Sequence, residues 1–87
     1  MNWSYEKIVG GNIRKIRESK NITQEQFAAK LQLMGCDITR SAVAKIEVGQ
    51  RHIYIDELKL IKDILETTYD ELIAVSYTHL TLPTNSL

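Results

Sequence analysis

The sequence predicts a compact all-α domain of five short helices, on three observations. Two stretches, Thr23-Gln-Glu-Gln26 and Thr68-Tyr-Asp-Glu71, have the form of capping boxes, in which a hydroxyl and a side chain three residues later satisfy each other's backbone N–H groups. Apolar residues recur at spacings of three and four from Ile13 to Leu72, the period of a helix with one buried face. No stretch before Ile73 shows convincing strand alternation. Eighty-seven residues suffice for one domain with a single small core.

Taken in order, Ser4 is a candidate cap for Tyr5, Ile8 and Val9, but Gly10-Gly11 would cost a helix about 2 kcal/mol relative to two alanines, so the clear pattern begins at Asn12. Helix 1 then carries Ile13 and Ile16 on one face and ends before Asn21, its basic residues read as a solvated face. Helix 2 starts at Thr23 and turns Phe27, Ala28 and Leu31 inward, with Leu33 and Met34 leading to a left-handed stop at Gly35. Cys36 is read as a small, half-apolar loop residue. Thr39 opens helix 3, which buries Val43 and Ile46 and is ended by Gly49. A polar loop, Gln50-Arg51-His52, follows, with His52 expected in solvent. Helix 4 begins at Ile55-Asp56, with Asp56 as its cap and Leu58, Ile61, Ile64 and Leu65 as its apolar stripe, and ends near Thr67. Thr68 caps a short fifth helix that closes the core with Leu72 and Ile73.

Charge is unevenly placed. Eleven basic and eleven acidic residues cancel overall, yet residues 1–51 hold nine Lys/Arg against five Asp/Glu, and residues 52–87 hold two against six. The first part is therefore net positive by four and the second net negative by four, which suggests a nucleic-acid face and a separate solvated face. A single cysteine forms no intramolecular disulfide, and no Cys/His cluster has zinc spacing. No apolar run approaches the roughly 20 residues of a membrane span, and Met1–Gly10 lacks the basic start and apolar core of a secretion signal, so a cytoplasmic location is expected. Without a glycine-rich phosphate loop, a paired-carboxylate site or partners for a histidine-based triad, neither an enzyme nor a cofactor is expected.

Helix 3 leaves Arg40, Ser41, Ala44 and Lys45 on or near its outer side. Arginine can donate two parallel bonds to guanine, serine can bond donor or acceptor edges, alanine can touch a thymine methyl, and lysine can reach guanine or phosphate. A row of this kind suits the major groove of double-stranded DNA, which is about 12 Å wide and admits one helix.

ITQEQFAAKL followed by ITRSAVAKIEVGQR resembles the Cro/repressor-type (Xre-like) helix-turn-helix family, and the likeness extends from Val9 to Ile73. It differs in the turn, where Leu31 to Thr39 is about five residues longer than the family's usual link. The resemblance implies a lambda-repressor-like DNA-binding domain over residues 1–73, belonging to a prokaryotic or phage transcription regulator whose recognition helix spans 39–48. It further implies that Arg40, Ser41, Ala44 and Lys45 read bases, that Gln24, Gln50 and Arg51 bind phosphate, and that Glu47 is the internal salt-bridge partner of Arg17. The implied partners are double-stranded DNA and a second copy of the chain, with half-sites about 34 Å apart. The competing expectation is a protein-interaction module that keeps the fold without operator binding. Neither a membrane nor a small-molecule substrate is expected as a partner.

Residues 75–84, VSYTHLTLPT, resemble instead the translation of a transposon-end adapter used in DNA sequencing libraries. That likeness predicts that 74–87 is a non-native, disordered tail and that the natural sequence departs at or before Ala74.

Overall fold

The computed structural model describes residues 5–75 and contains, in order, α1 (Tyr5–Ser19), α2 (Gln24–Leu33), α3 (Arg40–Glu47), α4 (Ile55–Leu65) and α5 (Tyr69–Ile73). Helix α1 packs on α3, α4 and α5, while α2 packs on α3 and α4. Ile13, Phe27, Leu31, Ile38, Val43, Ile46, Ile61, Leu65 and Leu72 form the fully enclosed core. The expected cap Ser4 and all of the tail beyond Val75 lie outside the described residues. Among the described residues no helix is long and apolar enough to cross a membrane.

The first helix corrects the expected boundary, for α1 begins at Tyr5 and runs without interruption through Gly10-Gly11. Tertiary contact explains the difference. Gly10 is buried, and a Cβ placed there would stand 2.0 Å from the carbonyl oxygen of Ile46. The missing side chain lets α1 lie directly on the backbone of α3, a gain that outweighs the weak helix propensity of glycine. At its other end α1 stops on Asn21, which adopts φ 59° while the Arg17 carbonyl accepts from the N–H groups of Lys20 and Ile22. Asparagine is among the few residues that tolerate this left-handed conformation.

Helix α2 starts as its sequence predicts. The Thr23 hydroxyl accepts from Gln26 N–H at 3.0 Å and the Gln26 side chain accepts from Thr23 N–H at 2.9 Å. Phe27, Ala28 and Leu31 are buried, and Gly35 follows with φ 84°. The long link to α3 is pinned rather than slack. Cys36 N–H bonds Leu31 O at 2.9 Å, Gln32 Nε2 donates to Ile38 O at 2.9 Å, and the side chains of Cys36 and Ile38 both enter the core on either side of exposed Asp37. Cys36 lies in a loop, as expected, with its side chain buried in the core. Burial, reinforced by nearby Glu57 and Asp56, pushes its thiol pKa up, which favours the protonated form.

Two further caps differ from expectation. Helix α4 is capped at Tyr54, whose N–H donates to the Glu57 carboxylate at 3.1 Å, while Asp56 sits inside the first turn and accepts from Glu57 N–H. The helix ends at Leu65, earlier than expected, because Glu66 turns to φ 53°. At α5 the Thr68 hydroxyl accepts from Glu71 N–H at 3.1 Å, but the Glu71 carboxylate pairs with the Thr67 hydroxyl, so half of the predicted box forms. Five residues make a helix too short to persist alone. Helix α1 holds it: Asn12 Nδ2 donates to the carbonyls of Leu72 and Ala74, each at 2.8 Å, and Tyr5 OH donates to Ile73 O at 2.6 Å. The last-turn carbonyls, which have no partner within the helix, are satisfied from outside it.

Candidate nucleic-acid interface

The geometry of α3 follows from which of its edges is held. Thr39 caps it, its hydroxyl accepting from Ala42 N–H at 3.2 Å, and Val43, Ile46 and Glu47 are buried. At about 100° per residue, Arg40, Ser41, Ala44 and Lys45 then occupy an arc about 140° wide on the opposite edge. Arg40, Ser41 and Lys45 are exposed and Ala44 is half-buried between them. Among the described residues neither Arg40 nor Lys45 takes part in an ion pair, so both cations are available to a ligand.

The inner edge is fastened by Arg17 and Glu47. Arg17 Nε lies 2.6 Å from Glu47 Oε2 and its Nη2 lies 3.0 Å from Oε1, with the residues only 6% and 4% exposed. Arg17 Nη1 also donates to Ile22 O at 2.7 Å, and Gln24 Nε2 donates to Glu47 Oε1 at 3.0 Å. One carboxylate therefore ties α1, the start of α2 and the end of α3 together. The hydrogen bonds that Arg17 donates to Glu47 raise the Arg17 pKa despite burial, so the guanidinium stays charged.

Gln24 sits half-buried at the first position of α2, with one amide hydrogen on Glu47 and a second donor left over. The neighbouring backbone N–H groups of the first turn have no intrahelical partner and, with the helix dipole, favour an anion. Gln50 is exposed immediately after Gly49, its N–H on Lys45 O at 2.8 Å. Arg51, the third residue to which the resemblance gives a phosphate contact, is half-buried. Its guanidinium is held in two parallel bonds to Glu57, at 2.9 and 3.0 Å, and donates to His52 O. The same bonds keep the Glu57 carboxyl below the usual range.

His52 is in solvent, as expected of a loop residue, and its ring meets the Glu6 carboxylate of α1. Glu6, Gly49, Gln50, Arg51, His52 and Tyr54 line an open cleft of about 430 Å³ at this junction. Among the described residues no group of His, Cys, Asp or Glu is arranged to hold a metal ion. What sequence reasoning missed here is the arrival of the first turn of α1 beside the loop after α3. Its only local trace is the pair Gly10 and Gly49, which mark where backbones touch.

A family model described as Helix-turn-helix matches residues 13–72. The chain is also similar to the HTH-type transcriptional activator BcrR of Enterococcus faecalis, at 34% identity over 62 residues, covering 71% of this chain and 28% of that protein. The chain thus spans little more than a quarter of the length of that relative. No solved structure matches it.

Proposed function

The chain belongs to the helix-turn-helix family, and on that premise we propose that it is the sequence-reading domain of a prokaryotic or phage transcription regulator, with α3 as the helix that enters the DNA major groove. The observation that carries the reading is the contrast between the two edges of α3. Its inner edge is bolted to α1 and α2 through Glu47, while its outer edge carries Arg40, Ser41, Ala44 and Lys45 with both cations unpaired among the described residues. A rigid helix with free donors on one side meets the requirement for base readout, which is side chains held in register against base edges. Gln24 and the first turn of α2 supply a phosphate contact, and Gln50 supplies another beyond α3; such contacts position the helix without selecting sequence. The partner is double-stranded DNA, bound by a homodimer on two half-sites. The relative is named as an activator, and regulation of transcription comes to this chain from that likeness.

Exposed Leu33 and Met34, at the C-terminal end of α2, favour the second reading, a protein-interaction module. Binding to genomic fragments at two salt concentrations separates the readings. Arg40→Ala should cost about 1–3 kcal/mol, mainly on the preferred site, while Gln24→Ala should weaken all sequences in similar proportion. A folded, dimeric chain with no salt-sensitive DNA binding would favour the interaction module.

A further inference from the structure

Helix α1 meets the end of α3 at two points one turn apart. At the first, Gly10 lies on the Ile46 carbonyl; at the second, a Cβ on Gly49 would stand 2.7 Å from both Cα and Cβ of Lys7. Gly49 also has φ 78°, so its position requires glycine both for its own conformation and for the approach of α1. Both contacts involve backbone, and they seat the first turn of α1 against the loop that leaves α3. Lys7 is carried there with it.

The other charged groups at this junction are already engaged. Arg51 is held by Glu57, and Glu6, adjacent to Lys7 in sequence, faces the His52 ring. Lys7 itself is exposed, and among the described residues no carboxylate lies within ion-pair distance of its ammonium. We propose that Lys7 is a phosphate-binding residue of the DNA interface, supplying beyond the end of α3 the positive charge that the family resemblance assigns to Arg51. The proposal rests on the DNA-binding reading above. A compact ammonium on a flexible stem suits a backbone phosphate, which needs a point charge, and carries no base preference. Because α1 and α3 touch through their backbones, docking α3 into a groove brings Lys7 toward the flanking strand.

The test uses the duplex that the wild-type chain selects from a random-sequence pool, beside a scrambled duplex, each titrated between about 50 and 200 mM salt. Lys7→Gln should weaken both duplexes in the same proportion and reduce the slope of log K against log salt by about 0.9 per bound protomer, and Lys7→Arg should restore it. Arg51→Gln, with helical content checked by circular dichroism, should leave the slope unchanged. So should Lys59→Gln, which removes an equal charge from α4. An unchanged slope in Lys7→Gln, or a slope lost in Arg51→Gln alone, overturns the assignment while the DNA-binding reading stands. A wild-type chain whose binding ignores salt overturns that reading and the assignment with it.

Discussion

Two arginine–glutamate pairs sit near the C-terminal end of α3, and their settings differ. Arg17 and Glu47 are 30 residues apart in sequence, nearly sealed from solvent, and share their hydrogen bonds with Ile22 and Gln24. Arg51 and Glu57 are six residues apart, join the loop after α3 to the first turn of α4, and keep side chains 28% and 13% exposed. The same bidentate chemistry therefore orients three helices in one place and shapes one loop in the other. The difference teaches that the value of an ion pair lies in what it leaves behind when broken: a buried pair leaves a charge with no water to solvate it, whereas a partly open pair leaves groups that water can reach.

The comparison breaks most sharply at Glu47. Glu47→Ala strands the Arg17 guanidinium and should cost about 3–5 kcal/mol, measured by urea unfolding; a cost below about 1 kcal/mol would equate the two pairs. Gly10→Ala leaves both pairs chemically intact but forces α1 away from the Ile46 carbonyl, and should cost about 1–3 kcal/mol, with the loss of DNA affinity exceeding what the unfolded fraction explains. Glu57→Gln is the smallest effect, about 0.5–1 kcal/mol near neutral pH. Because the folded pKa of Glu57 is depressed, its stabilisation is complete above the ordinary value of 4.5 and disappears as pH falls through the lower folded value. Glu57→Gln should accordingly flatten the stability curve below about pH 4.5, a change readable by unfolding at stepped pH.

The parts legible in the sequence are those decided within one turn of chain. Thr23, Thr39 and Thr68 announced helix starts because each hydroxyl finds a backbone N–H three residues on, and Phe27, Leu31, Val43, Ile46, Ile61 and Leu65 announced the core because apolar spacing survives folding unchanged. Arg17 and Glu47 were paired only through family resemblance, since no local signal spans 30 residues. Tyr54 was hidden as a cap because the bond runs from its backbone to Glu57, leaving its own side chain uninvolved.

By itself, then, the sequence determined five amphipathic segments, most of their ends, and a row of hydrogen-bonding side chains on one edge of the third. Only the tertiary structure decided that α1 passes through its two glycines, that Asn12 and Tyr5 complete α5, that Arg51 is held by Glu57, and that Lys7 stands beside the end of α3. Helix ends and apolar faces are set by atoms a few bonds apart. Backbone approach and choice of ionic partner depend on which distant segments share a volume, and that is settled only when the core closes.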